Sequence, residues 1–215
     1  EPVALRRLPP DLLEHLERGD VLVLEGRESG AASFDLRGAT VMARRRWEAL
    51  AQEIRSALSG YHQQYPLRIG MPREELKSRL RVDGAIFQRL LGKAIGTGVL
   101  AASETEVHLP EHRVTLNSDQ QRRLDQALTL MAANPYAPPA LSELQDLLGA
   151  ELLQYLLDAG RLLKVSDSVA FDPASYAEME QRVIAYLREN GQITVAIVRD
   201  LFGTSRKYAL GLLED

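Results

Sequence analysis

A mainly α-helical fold with small β-hairpins (α+β), built as an elongated tandem array of similar modules, is the class this sequence predicts. Three observations carry it. A helix end with paired leucines recurs along the chain, each time passing through a glycine into a short apolar strand. A second short apolar segment follows each of these strands after polar turn residues, as a β-hairpin requires. Long apolar stripes at helical spacing precede the second and third of these units.

The first unit is LLEHLERGDVLVL (12–24), then the turn ESGAA and the segment SFDL (33–36). Gly19 fits the position just past a helix, where φ > 0 is needed. Trp47, Ala51, Ile54, Leu58, Tyr61 and Tyr65 then step by three or four and predict one long helix. After QYPLRIG, PREELKSRL reads as a second helix with Pro72 at its first position and acids behind it. LLGKAIGTGVLAA (90–102) and EVHL (106–109) repeat the helix end and the hairpin around Gly98.

Leu124, Leu128 and Met131 begin the next stripe, NPYAPP breaks it, and LSELQDLLG follows. LLQYLLDAGRLLKV (152–165) and SVAF (168–171) repeat the pattern around Gly160. Met179, Val183 and Leu187, the break ENGQI, and VAIVRDLFG open a last unit. The unit is thus helix, helix, helix, hairpin, which is a winged helix-turn-helix. The divisions expected are a partial first module at 1–38 (third helix and wing), a second at 39–115, a third at 116–174, and a fourth at 175–215 without its wing. The chain is expected to be a piece of a longer one.

Composition narrows the function. The net charge is -4, so binding to nucleic acid must come from a local basic patch rather than from the chain as a whole. There is no cysteine, which excludes a disulfide scaffold and zinc-finger chemistry. No apolar run approaches the ~20 residues of a membrane span. No G-x-x-x-x-G-K-[ST] or G-x-S-x-G run is present, so no catalytic residue is expected. His108 and His112 flank Pro110 at a strand end, and His15 and His62 are distant in sequence, so no metal site is expected.

The basic runs differ in promise. Arg44, Arg45 and Arg46 read mainly as a solvated or module-bridging helix face, with Arg6–Arg7 and Arg122–Arg123 as weaker versions. Thr204-Ser205-Arg206-Lys207-Tyr208 is different. Gly203 ends one helix, and Thr204 or Ser205 can cap the next. Arg206, Lys207 and Tyr208 then occupy a first turn that is already electropositive, which an anion would relieve. Phosphate contact by Lys207, guanine or phosphate contact by Arg206 and base stacking by Tyr208 are all chemically open. So is the plain alternative, with Tyr208 packed in a core and both cations solvated.

ITVAIVRDLFGTSRKYALGLLE closely resembles the last winged helix of the bacterial selenocysteine-specific elongation factor family, SelB. The family's run there is G-[ST]-S-R-K-Y-x-L-P-L-L-E. The match covers Gly203, Thr204, Ser205, Arg206, Lys207, Tyr208, Leu210, Leu212, Leu213 and Glu214, and fails at Gly211, where the family usually has proline. YPLRIGMPREELKSRL (65–80) resembles the family's second module, P-L-R-x-G-x-x-R-E-E-L.

The resemblance implies a tail of four winged helices behind a GTP-binding part that delivers selenocysteinyl-tRNA to the ribosome. It implies that the last module binds the mRNA hairpin (SECIS element) that recodes an in-frame UGA. Ser205, Arg206 and Lys207, with Tyr208 adjacent, carry over as the RNA-binding residues. GTP and magnesium would belong to the GTPase part, so no cofactor is expected here, and a cytoplasmic monomer is. The upstream modules then read as a spacer, and the last module alone should keep its hairpin affinity. The competing readings are a winged-helix protein-interaction array and a DNA-binding regulator.

Overall fold

The computed structural model describes residues 3–4, 11–28 and 34–214. Arg6, Arg7 and most of the expected ESGAA turn lie outside the described residues. The chain divides into two units, Glu1–Arg113 and Val114–Asp215. Among the described residues no helix is long and apolar enough to cross a membrane.

The first unit begins with β1 (Val3–Ala4), α1 (Leu12–Glu17), β2 (Val21–Glu28) and β3 (Phe34–Ala43), an antiparallel sheet in the order β1-β3-β2. The second hairpin strand, expected at 33–36, runs on to Ala43 and crosses the expected division at 38/39. Pairing continues because Val41 and Met42 are buried and lie opposite Val23 and Leu22. The chain then enters α2 (Arg44–Gln64) without a loop.

The α2 stripe is buried at Trp47, Ala51, Ile54, Leu58 and Tyr61, as the spacing predicts. Tyr65 falls just past the helix and is 40% exposed. Next come β4 (Met71–Pro72), α3 (Arg73–Leu80), α4 (Gly84–Gly96), β5 (Ala101–Ala102) and β6 (Glu106–His108), with sheet order β4-β6-β5. The sequence does not predict β4. Pro72, expected as the first helical residue, instead ends this strand in an extended conformation and precedes α3. Met71 pairs with the fully buried Val107, and that tertiary contact holds the preceding two residues in strand geometry. Leu22 and Leu24 of β2 pack on the core formed by α2, α3 and α4, so the hairpin of one module walls the helices of the next.

The second unit runs α5 (Ser118–Ala133), α6 (Leu141–Leu148), α7 (Ala150–Asp158), β7 (Leu163–Ser166), β8 (Val169–Phe171), α8 (Pro173–Asn190), α9 (Val195–Phe202) and α10 (Arg206–Leu213). Asn117 and Gln120 form a capping box at α5, and Asp172 caps α8 with Pro173 behind it. Thr194 caps α9. Strand β8 is buried on both faces. Val169 and Phe171 join Tyr176, Met179, Val183, Val198, Phe202, Ala209 and Leu212 in one core, while Ala170 points the other way and is also fully buried. The arrangement seen in the first unit therefore recurs: the β7–β8 hairpin is one wall of the α8–α10 core.

The recurring helix ends share one hydrogen-bond pattern. Gly19, Gly98 and Gly160 all have positive φ. Their N–H groups donate to Leu16, Ile95 and Leu157. The next N–H in each case, from Asp20, Val99 and Arg161, reaches back to His15, Ala94 and Leu156. These paired bonds are a Schellman motif, which closes the helix and turns the chain into the strand. The alternation of helix and antiparallel hairpin is a tandem winged-helix arrangement of the mainly helical α+β class.

Candidate nucleic-acid interface

Helix α9 ends at Gly203, which takes the left-handed conformation at φ 59°. Three residues later α10 begins. Ser205 occupies the N-cap position, but its side chain makes no capping bond. The Thr204 hydroxyl, the other candidate cap, points away from its own helix and donates to the Tyr136 carbonyl at 2.5 Å. The first-turn N–H groups of α10 therefore receive no cap from either residue, and they carry the positive end of the helix dipole.

Arg206 and Lys207 sit on that turn, both exposed. Neither has an ion-pair partner among the described residues. The Lys207 ammonium lies 5.4 Å from the centroid of the Tyr208 ring. Two cations, free N–H groups and an exposed hydroxyl at Ser205 thus converge on one surface, which is a fitting geometry for a phosphate-bearing ligand.

Tyr208 behaves differently from its neighbours. Its ring meets Phe171 edge-on at 6.0 Å, and its hydroxyl donates to the Pro138 carbonyl at 2.6 Å. Burial first, and the charge of Glu143 second, raise its phenol above the ordinary value, so it remains a protonated donor. Of the two roles the sequence leaves open for Tyr208, its ring contact and its hydroxyl bond are those of packing. The exposed side chains of the site are Ser205, Arg206 and Lys207, with Tyr208 holding the turn from beneath.

Gly211, the departure from the family pattern, is buried in α10 against β7. A Cβ added there would stand 2.9 Å from Val165 Cγ2, so a side chain at 211 would have to displace that methyl.

In the other described basic runs, Arg44, Arg46, Arg122 and Arg123 have partners within the chain. Arg44 Nε donates to the Gly19 carbonyl at the end of α1, and its N–H donates to Asp20 O at 2.7 Å. This is the module-bridging role, with a cation placed at a helix C-terminus. Arg46 lies 3.5 Å from Glu53. Arg122 and Arg123 both pair with Asp119.

The fold also joins histidines that the sequence keeps apart. His62 and His112 stack with ring centroids 3.5 Å apart and planes 7° from parallel. His62 Nε2 accepts from the Leu109 N–H at 3.3 Å, so its proton is on Nδ1, which is buried without a partner. His108 and His112 each donate to a carbonyl, of Leu109 and Arg68. Desolvation, followed by the nearby His112 and His108, lowers the pKa of His62 to about 4.

Comparison with known proteins agrees with this architecture. Family models described as "Elongation factor SelB, winged helix" match residues 55–109 and 185–215, the first as a second and the other as a third such domain. The latter span contains Ser205, Arg206, Lys207 and Tyr208. A selenocysteine-specific elongation factor of Desulfomicrobium baculatum is 25% identical over 220 residues, covering 99% of this chain and 34% of its own length. The chain thus spans about a third of that relative. A crystal structure of a bacterial selenocysteine-specific elongation factor, EF-Sec, aligns with 83% of this chain and 28% of its own at 18% identity and a TM-score of 0.43. Two spans of this chain, 55–109 and 185–215, are therefore similar to winged-helix domains of elongation factor SelB.

Proposed function

We propose that this chain is the RNA-binding tail of a selenocysteine-specific translation factor, and that the first turn of α10 binds the mRNA hairpin (SECIS element) that recodes an in-frame UGA. The observation that carries the reading is the uncapped start of α10 with Arg206 and Lys207 exposed beside it and without an ion-pair partner among the described residues. Lys207 contacts phosphate, Arg206 contacts phosphate or a guanine edge, and the free N–H groups take a phosphate oxygen. A folded RNA loop can be held by such a small set of contacts, because its bases are splayed and its phosphates crowd together.

In this reading the chain is a binding module and performs no catalysis. GTP and magnesium belong to the GTPase part of the whole factor, and selenocysteinyl-tRNA and the ribosome are partners through that part. The factor acts as a cytoplasmic monomer. A DNA regulator is disfavoured by α10 itself. It has eight residues, and Ala209, Gly211 and Leu212 are buried, which leaves too short a free face to follow a major groove.

The test is fluorescence anisotropy of a labelled hairpin taken from downstream of an in-frame UGA, against a scrambled hairpin and a DNA duplex. Arg206→Ala should cost about 1–3 kcal/mol on the cognate hairpin if it reads a base, and Lys207→Ala should weaken all RNAs alike and flatten the salt dependence. Equal affinity for all three probes, unchanged in both variants, would move the chain to the protein-interaction class.

A further inference from the structure

The connection between α5 and α6, residues 134–140, breaks the helical pattern with the sequence NPYAPPA. Its backbone carbonyls receive both residues that bracket the exposed cations. Thr204, two positions before Arg206, donates its hydroxyl to Tyr136 O at 2.5 Å. Tyr208, next after Lys207, donates its hydroxyl to Pro138 O at 2.6 Å. The donors are four residues apart and the acceptors two apart, so both flanks of the first turn of α10 are tied to one short stretch of chain.

That stretch is itself held. The Tyr136 hydroxyl donates to Glu178 at 2.6 Å, and its ring packs on Phe202 at 5.1 Å. Arg182 spans the same place. Its guanidinium lies 4.5 Å from the Phe202 centroid and donates to Leu201 O at 2.8 Å and to the Tyr136 hydroxyl at 3.3 Å. The α5–α6 turn is therefore fastened to α8 and α9, and through them to the chain that leads into α10.

An eight-residue helix is marginal by itself, and its first turn is the part most prone to fray. Thr204 stands one position before the N-cap, and its hydroxyl goes to the α5–α6 turn rather than to α10. We infer that the α5–α6 turn is a positioning element for the RNA-facing turn of α10, with Thr204 and Tyr208 as positioning residues that set Arg206 and Lys207 in register with the RNA. The inference rests on the RNA-binding reading of α10 and replaces the passive-spacer role for the helices ahead of it: α8–α10 without α5–α7 lack the carbonyls that fix the site.

The experiment uses the whole chain and the same labelled hairpin, in wild-type, Thr204→Val, Thr204→Ser and Tyr208→Phe forms, each also combined with Arg206→Ala/Lys207→Ala. Thermal unfolding of each form is followed alongside. Loss of one positioning hydrogen bond should weaken hairpin binding about three- to tenfold in Thr204→Val and Tyr208→Phe. Thr204→Ser, which keeps the hydroxyl, should restore affinity to within about twofold. In the background lacking both cations the Thr204→Val and Tyr208→Phe losses should vanish, because positioning acts only through the groups positioned. Wild-type affinity in both single variants overturns the inference. So does a loss of the same size with and without the cations, which would mark a direct RNA contact or general destabilisation. If instead the double cation variant binds as well as wild type, the RNA-binding reading itself fails.

Discussion

Tyr208 shows what a short motif can and cannot tell. An aromatic beside two cations at a helix start is equally consistent with stacking on a base and with packing. The deciding contact, Pro138 O, lies 70 residues away in sequence and leaves no local signal. The exposure of Arg206 and Lys207 is legible because a first turn follows from the Gly203 helix end and the spacing alone. The contact between His62 and His112 is equally non-local, since their stack joins the end of α2 to the segment after β6. That stack has a measurable consequence. His62 titrates near 6.5 in the unfolded chain and at about 4 in the folded one. The native state thus refuses a proton that the unfolded state accepts, and stability is full above pH 6.5 and lost as the pH falls toward 4. The groups facing it are His112, His108 and Glu111, and the last opposes the shift. The loss should be on the order of 2 kcal/mol after allowing for solvent screening. His62→Gln keeps an acceptor for the Leu109 N–H and cannot titrate. Urea midpoints of the two proteins, compared from pH 7 to pH 4, should diverge as acid is added. Parallel curves would show that His62 is not the group responsible.

At the scale of elements, the helix–glycine–strand unit was readable because every part of a Schellman end is local. Its glycine, its paired leucines and its following strand sit within a dozen residues. Strand β4 was not readable, since two residues ending in proline carry no strand signal until Val107 pairs with Met71. The stripe rule also overran its helices. Tyr65 and Leu187 continue their periodic faces but are 40% and 37% exposed, at the ends of those faces. Helix α10 offers a test at this scale. Its seat on β7 depends on Gly211 having no side chain. Gly211→Leu should push α10 off Val165 and cost about 1–3 kcal/mol by overpacking. It should also weaken hairpin binding, because the displaced helix carries Arg206 and Lys207. A variant with unchanged unfolding midpoint would show that Val165 moves aside freely.

At the scale of the molecule, four divisions are expected from the repeat, and the chain divides into two units, Glu1–Arg113 and Val114–Asp215, each holding more than one helix-and-hairpin repeat. The RNA-facing turn, the α5–α6 turn and the core joining them all lie in the second. The segment 114–215 should therefore bind the hairpin within about threefold of the full chain, since it keeps every proposed contact. Comparing the two by anisotropy checks this. A loss of tenfold or more would require a contribution from residues 1–113.

Strand β8 gives the repeat a consequence for how such arrays are rebuilt. Val169 and Phe171 belong to the α8–α10 core, and Ala170 between them is fully buried too, so the strand is covered on both of its faces. A cut at 174/175, where the sequence period suggests a seam, leaves the last helices without a wall and the preceding hairpin with bare aromatic surface. The natural piece to transplant between relatives is a helix trio together with the hairpin ahead of it. Recombination that respects this offset keeps each core whole, and recombination at the apparent repeat boundary splits it.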